Sequence, residues 1–137
     1  MTHLLDTSAF LAYFLREEGG ERVAALFESE GTEVAFPALG VVEFWARLKA
    51  LGADEAFESE WELHRALFVA VTVADEAVAE RAIAIRRATP ERLPTIDSVI
   101  AATASVQDLV LVHRDPHFRG IPERYLRQID LAERLPS

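Results

Sequence analysis

The sequence predicts an α/β fold, in which helices cover both faces of a central parallel sheet of four to five strands. Three observations predict it. Short apolar or β-branched runs recur along the chain, segments with apolar residues at helical spacing separate them, and Gly, Pro or Asp residues mark most boundaries. Strands that alternate with helices favour parallel pairing, because a parallel connection needs a crossover long enough to hold a helix.

The predicted elements follow one another without a long gap. The predicted strands are residues 3–5, 33–36, 68–73, 109–112 and 128–131. The predicted helices are residues 9–15, 21–29, 37–51, 54–68, 75–88 and 95–104. Since no internal repeat, low-complexity tract or linker interrupts them, residues 1–137 are interpreted as a single domain.

Turn and cap residues justify the first three helices. We expect Thr7 or Ser8 to cap the first helix, because a hydroxyl oxygen there can accept a hydrogen bond from an unpaired amide. Gly19-Gly20 breaks the chain before the second helix. Pro37 closes the second strand and suits the first turn of the third helix, which Gly52 ends.

The later helices depend on caps and on apolar spacing. Asp75 is expected to cap the fifth helix, and Pro94 fits the first turn of the last one. Ile96, Ile100 and Ala104 then repeat at four-residue intervals, which predicts a buried face on that helix.

Composition restricts the class of protein. Half of the residues are apolar and about a quarter are charged, as in an ordinary soluble domain. Cysteine is absent, which excludes disulfides and thiolate metal sites. No apolar run approaches the length of a membrane span, and Asp6 falls where the apolar region of a signal peptide should build. With cysteine absent as well, we expect a cytoplasmic protein. The net charge of −9 argues against a general nucleic-acid coat, although residues 81–127 carry eight arginines against five acids.

Acidic residues stand where ligands bind in such a sheet, outside the carboxyl ends of the strands. Asp6 ends the first strand, Asp115 follows the fourth, Asp97 opens the last helix and Glu43 lies in the helix after the second strand. Each one alone is also typical of a turn or a cap. If the four converge, however, they cannot all ionise side by side without a cation. Carboxylate oxygens favour Mg²⁺ or Mn²⁺, which would orient a water molecule and lower its pKa.

Glu43 needs a separate explanation. Leu39, Ala46 and Ala50 share its side of the predicted helix, so we expect a buried carboxylate on a largely apolar stripe. A buried carboxylate is costly unless it is paired or bound to a metal. The sequence therefore favours a partner for Glu43.

Each of the four acids lies in a short segment, and the segments are Leu4–Ser8, Val41–Ala46, Leu93–Ala104 and Leu111–Asp115. In order and spacing they resemble the signatures of the PIN-domain ribonucleases, and most closely those of the compact VapC-type toxins of toxin–antitoxin pairs. The resemblance extends from Leu4 to about Phe118. It implies a PIN-like three-layer α/β/α sandwich and an Mg²⁺- or Mn²⁺-dependent endoribonuclease that cuts single-stranded or looped RNA. It also implies a VapB-like antitoxin partner and a homodimer. The implied catalytic and metal-binding residues are Asp6, Glu43, Asp97 and Asp115.

Two positions depart from the family pattern. His113 stands where many relatives have threonine or serine, and His117 where many have a further aspartate. His117 is either a ligand or proton carrier or, more simply, a surface or capping residue. Pro116 breaks any helix that would align the two histidines as a zinc pair. Ser8 or Thr7 either hydrogen-bonds a metal ligand or the phosphate, or only caps a helix.

Two surfaces are candidates for binding. Basic residues beside the acidic centre would bind RNA phosphates, or are simply solvated helix faces; they are Arg81, Arg86, Arg87, Arg92, Arg114 and Arg119. Aromatic residues would form a groove for an antitoxin segment, or are simply core; they are Phe10, Tyr13, Phe14, Trp45, Phe57 and Trp61.

Other functional classes fit the sequence less well. A phosphotransfer or receiver-like domain needs an active-site lysine, and the only lysine, Lys49, lies at the wrong place in the chain. A dinucleotide-binding enzyme needs a glycine-rich first turn, which Asp6-Thr7-Ser8 lacks. The main alternative is a non-catalytic PIN-like scaffold that binds RNA or protein, for which a broken acidic quartet would be the sign.

Overall fold

A five-stranded parallel sheet forms the centre of the molecule in a computed structural model, which describes residues 1–133. The strands are β1 (His3–Leu5), β2 (Val34–Pro37), β3 (Ala70–Thr72), β4 (Val110–His113) and β5 (Gln128–Asp130). The helices are α1 (Thr7–Phe14), α2 (Gly20–Glu28), α3 (Ala38–Ala50), α4 (Phe57–Arg65), α5 (Glu76–Ala88) and α6 (Thr95–Val106). Short 3₁₀ turns at Asp54–Ala56 and Pro116–Phe118 complete these elements. The predicted α/β class with a parallel sheet is confirmed.

The strand order is β3-β2-β1-β4-β5, with every neighbouring pair parallel. The chain moves outward from β1 through β2 to β3, then returns past β1 to form β4 and β5. The direction therefore reverses between β1 and β4, and a crevice opens at the carboxyl ends of these two strands. Leu5 pairs with Val112 at that end, so residues that follow either strand lie next to one another.

Two apolar cores lie on opposite faces of the sheet. Leu4 packs in one core with residues of α5 and α6, and Leu5 packs in the other with residues of α1, α2 and α3. Adjacent strand residues point to opposite faces, so these two leucines divide the molecule into its three layers. The second core is rich in aromatic rings, whose centre is the fully buried Phe10.

The structure corrects several predicted details. Asp6 rather than Thr7 or Ser8 caps α1, since its Oδ2 accepts a hydrogen bond from the Ser8 amide at 3.2 Å. The cap is therefore the residue that directly ends the strand. Pro37 is the last residue of β2 and precedes α3. Pro94 likewise precedes α6 and is not part of its first turn, whereas Asp75 caps α5 as predicted.

Three predicted segments are shorter or differently exposed. The helix over 54–68 is a 3₁₀ turn followed by α4, which ends at Arg65, and the strand over 68–73 is confined to Ala70–Thr72. Ile96 is 46% exposed, because it lies in the first turn of α6, before the helix reaches the sheet. The buried residues of α6 are Ser98 and Ile100–Ala104, and the helix packs against α5 and β4. Among residues 1–133, no helix has the length and apolar character needed to cross a membrane.

Candidate metal centre

The four acids expected to converge line a single open cavity of about 450 Å³ at the carboxyl ends of β1 and β4. They arrive from four places: the end of β1, the middle of α3, the first turn of α6 and the loop after β4. Neighbouring side chains complete the wall. The lining residues are Asp6, Thr7, Ser8, Leu11, Glu43, Ala46, Arg47, Ala50, Asp97 and Asp115.

Asp6 lies at the floor of this cavity and is only 4% exposed. Its Oδ2 accepts hydrogen bonds from the Ser8 amide at 3.2 Å and from the Ser8 hydroxyl at 2.6 Å. Burial raises the pKa of Asp6 from 3.8 to about 7; the Ser8 hydrogen bonds oppose this rise, and the charges of Glu43 and Asp97 add to it. The carboxylate thus has neutral donors but no cationic side-chain partner among residues 1–133.

Ser8 joins the two loops that frame the crevice. Its hydroxyl donates to Asp6 and accepts a hydrogen bond from the Arg114 amide at 2.9 Å. One side chain therefore fixes the end of β1 against the loop that carries Asp115. Of the roles left open for Ser8, the structure shows the hydrogen bond to an acid of the quartet, and it adds the unpredicted bond to the Arg114 amide.

Thr7 holds Glu43. The buried Thr7 hydroxyl donates to Glu43 Oε1 at 2.7 Å. Glu43 is half-buried, but Ala46 and Ala50 on the same side of α3 are exposed and form part of the cavity wall. The expected burial of this stripe is thus wrong, because that side of α3 faces the cavity rather than the core. The sequence favoured a partner for Glu43, and the structure shows Thr7 as its hydrogen-bond donor.

Asp97 and Asp115 form the other side of the cavity. Burial raises the pKa of Asp97, and the negative charge of Asp115 raises it further, while His117 acts in the opposite direction. Asp115 caps the 3₁₀ turn that follows β4, since its Oδ1 accepts a hydrogen bond from the His117 amide at 2.9 Å. That turn brings the His117 side chain back over the two carboxylates.

His117 contacts both acids at once. Its Nδ1 lies 3.0 Å from Asp97 Oδ2 and 3.1 Å from Asp115 Oδ1. One ligand atom from each of these three residues lies within 4.8 Å of the other two. The side chain of His117 is 44% exposed, yet it is part of this cluster and is not an isolated surface residue.

His113 points away from the cavity and is fully buried. Its Nδ1 accepts a hydrogen bond from the Asp115 amide at 3.2 Å, so its Nε2 carries the proton and donates to Gln128 Oε1 at 2.7 Å. Burial lowers the pKa of His113, against the hydrogen bond to Gln128. The neutral ring therefore supports the backbone beneath Asp115. The His113 ring contacts Gln128, whereas the His117 ring contacts Asp97 and Asp115.

The predicted basic residues are spread over several places. Arg114 donates to the Glu18 carbonyl oxygen at 3.0 Å, and Arg86 donates to Thr95 Oγ1 at 3.1 Å, two residues from Asp97. Arg81 donates to Ser105 Oγ, at the far end of α6 and roughly 12 Å along the helix from Asp97. The structure thus places Arg81 away from the cavity.

The other predicted basic residues are exposed. Arg119 pairs with the buried Asp130 at 2.5 Å, while Arg87 and Arg92 are exposed. Arg47 lines the cavity itself, and sequence reasoning missed it because it lies outside the basic segment 81–127. Its position one helical turn after Glu43 was the available signal.

The six aromatic candidates divide between core and surface. Phe10 is fully buried, with its ring 5.0 Å from that of Phe44, so it belongs to the core and lines no groove. Phe57 and Trp61 are half-buried against the same core. Trp45 Nε1 donates to Asp54 Oδ1 at 2.8 Å.

Tyr13 and Phe14 line a second cavity of about 570 Å³, between α1, α2 and α4. The remaining lining residues are mostly charged or small. They are Arg16, Glu17, Gly20, Glu21, Ala24, Glu60 and His64.

The model of the PIN domain family matches residues 3–124. The chain belongs to the PIN-domain family. This confirms the resemblance that the four sequence segments indicated, and the three-layer α/β architecture is that of the family. No curated protein matches the chain in a sequence comparison.

Solved structures share this fold across nearly the whole chain. A toxin–antitoxin complex from Klebsiella pneumoniae has 21% identity and a TM-score of 0.73, with 96% of this chain and 99% of that chain covered. VapBC2 from Rickettsia felis, bound to a DNA fragment from its promoter, has 15% identity and a TM-score of 0.75, with 95% and 98% covered. FitAcB from Neisseria gonorrhoeae has 24% identity and a TM-score of 0.76, with 95% and 98% covered. At these identities the likeness establishes the fold.

The residues of the cavity fit a hard divalent cation. The donors are carboxylate oxygens together with one imidazole nitrogen, and burial together with neighbouring negative charge raises the pKa of Asp6 and Asp97. A cation would neutralise this repulsion, and oxygen-rich sites suit Mg²⁺ and Mn²⁺.

Proposed function

We propose that this PIN domain is a divalent-metal-dependent endoribonuclease and the toxin of a type II toxin–antitoxin pair. One observation carries the proposal: acids from four separate elements line one cavity at the strand-order reversal of a PIN fold. The proposal includes the interpretation of residues 1–137 as a single domain and a cytoplasmic location.

Asp6, Asp97 and Asp115, with Glu43, would hold Mg²⁺ or Mn²⁺. When bound, such an ion lowers the pKa of a coordinated water and stabilises the charge that develops on the phosphate. The protein residues then have distinct tasks. Ser8 orients Asp6 through its hydroxyl. Thr7 occupies one oxygen of Glu43 and leaves Oε2 without a protein partner among residues 1–133, so that this oxygen can accept a proton from the attacking water.

RNA phosphates need positive charge beside this acidic centre. Arg47 lines the cavity, and Arg86 and Arg114 lie next to the elements that carry Asp97 and Asp115. We propose these three as the primary phosphate contacts. The exposed Arg87, Arg92 and Arg119 would extend the surface, whereas Arg81 has no part in it.

A protein partner and a homodimer are further parts of the proposal. The similar structures named above include a toxin–antitoxin complex and VapBC2, which supports an antitoxin partner for this chain. The second cavity, which contains Tyr13 and Phe14, is the candidate docking groove. Tyr13→Ala is expected to weaken a complex with a VapB-like antitoxin, while Ile83→Ala, on the opposite face of the sheet, leaves it unchanged. Equal binding by both variants would exclude this groove.

A non-catalytic scaffold is the alternative function. A protein that only binds RNA has no need to keep four acids together in one cavity, and the cost of burying Asp6 would serve no purpose. The complete acid set therefore favours catalysis.

The decisive experiment compares cleavage of single-stranded RNA by the wild type, Asp6→Asn and Asp97→Asn, with Mg²⁺ or Mn²⁺ and with a chelator. Asp108→Asn is the matched control, because the side chain of Asp108 is 93% exposed and lies away from the cavity. We expect metal-dependent cleavage by the wild type and the control only. Equal cleavage by all four proteins would refute the assignment. Single-stranded DNA of the same sequence tests the preference for RNA.

A further inference from the structure

The imidazole of His117 has a position that the acid quartet does not explain. Its Nδ1 lies 3.0 Å from Asp97 Oδ2 and 3.1 Å from Asp115 Oδ1, so a single nitrogen faces oxygens carried by two separate elements. The backbone of the same residue donates to Asp115 Oδ1 at 2.9 Å. The ring is therefore attached, through the 3₁₀ turn, to one of the carboxylates that it contacts.

These separations match those between ligands of one metal ion. Donor atoms bound at about 2.1 Å and at right angles lie about 3.0 Å apart, which is the edge of an octahedron around Mg²⁺. Both nitrogen-to-oxygen distances are close to this value. One ligand atom from each of the three residues already lies within 4.8 Å of the other two, so a small closing movement completes one triangular face.

We propose that His117 Nδ1 is a direct ligand of the metal, together with Asp97 and Asp115, and that this nitrogen makes the site select Mn²⁺ over Mg²⁺. The inference rests on the proposed function for the presence of the ion. Mg²⁺ prefers oxygen donors throughout, whereas imidazole nitrogen suits transition metals. A single nitrogen ligand thus lowers the relative affinity for Mg²⁺.

A different role for the ring makes different predictions. If the Nδ1 proton only bridges the two carboxylates, an entering ion displaces it and no metal–nitrogen bond forms. Removing the ring would then strengthen binding of both ions, because a hydrogen-bond donor that competes with the ion for the two carboxylates is lost. A ligand role predicts the opposite for Mn²⁺.

The test measures the metal rather than activity. Electron spin-echo spectroscopy of the Mn²⁺-loaded wild type should show modulation from a directly bound ¹⁴N nucleus. His117→Gln should lose that modulation. His3→Gln is the matched control and should keep it, because His3 begins β1 at the opposite end of the strand from Asp6.

Calorimetric titration with Mn²⁺ and with Mg²⁺ gives the second readout. His117→Gln should lower Mn²⁺ affinity by about tenfold or more and Mg²⁺ affinity by less, since ligand-shell changes typically cost this much. His117→Asp should restore tight binding and shift the preference toward Mg²⁺, because it replaces the nitrogen with oxygen. His117 is exposed, so these variants are expected to fold.

The outcomes separate this inference from the proposed function. Mn²⁺ binding that depends on Asp97 but gives no ¹⁴N modulation, or that is unchanged or stronger in His117→Gln, overturns the role of His117 alone. Absence of Mn²⁺ and Mg²⁺ binding by the wild type overturns the metal centre, and with it both proposals.

Discussion

Replacing Asp6 with asparagine is expected to stabilise the metal-free protein at neutral and alkaline pH. Asp6 is 4% exposed, and burial raises its pKa from 3.8 to about 7, with a further contribution from the charges of Glu43 and Asp97. Asparagine keeps an oxygen that can accept the hydrogen bonds from the Ser8 amide and hydroxyl. The substitution therefore removes a buried charge and preserves the cap of α1.

The sign and the size follow from proton linkage. The folded protein holds the Asp6 proton more tightly than the unfolded chain, so the free energy of unfolding falls as the pH rises from about 4 to about 7. Below this range the carboxyl is protonated in both states and the penalty is absent. Above it the penalty is complete. The pKa of Asp6 is about three units higher in the folded protein than in the unfolded chain. At about 1.4 kcal/mol per unit, ionisation of Asp6 lowers the free energy of unfolding by on the order of 4 kcal/mol.

Urea unfolding with a chelator present, at pH 5 and pH 8, measures this difference. Asp6→Asn should exceed the wild type in stability by up to about 4 kcal/mol at pH 8 and by much less at pH 5. The exposed control Asp108→Asn should have the same free energy of unfolding as the wild type at both pH values. If Asp6→Asn is no more stable than the wild type at pH 8, the charge on Asp6 carries no folding cost and the electrostatic account of the cavity fails.

Three further substitutions test how the site is held. Thr7→Val should lower kcat for RNA cleavage by about tenfold with little change in KM, because Glu43 loses its hydrogen-bond donor, and Thr7→Ser should retain most of the activity. His113→Asn keeps a hydrogen-bond acceptor near the Asp115 amide, whereas His113→Gln does not. His113→Gln should therefore weaken Mn²⁺ binding in a calorimetric titration, and His113→Asn should not. Arg47→Gln should raise KM for RNA and reduce the slope of log affinity against log salt by about one, since one phosphate contact is lost.

The convergence of the acids could be predicted because it depends on topology. The carboxyl ends of parallel strands lie at the same edge of the sheet. Asp6 and Asp115 follow such ends, and they lie close together because β1 and β4 are neighbours. The cap at Asp75 could be predicted for a similar reason, since a side-chain oxygen directly before a helix has amides within reach.

Details that depend on helix rotation or on a single turn could not be predicted. Arg47 follows Glu43 by one helical turn, which indicates the same side of α3, but the sequence does not show that this side faces the cavity rather than the core. His117 reaches Asp97 only because a 3₁₀ turn reverses the chain after Asp115. Ile96 matched the apolar spacing of α6 but lies before the helix meets the sheet, where periodicity gives no information about burial.

The arrangement of acids that we propose for catalysis also weakens the metal-free fold, and this links the ion to stability. Burial and neighbouring charge raise the pKa of both Asp6 and Asp97. At neutral pH the ionised forms of these acids therefore lower the free energy of unfolding. An ion that binds only the folded protein raises the free energy of unfolding by mass action and so offsets this loss. The wild type should therefore gain stability with added Mn²⁺. Asp6→Asn should gain less, because it lacks one metal ligand and one of the repelling charges. Equal gains would mean that the stabilising ions bind outside this cavity.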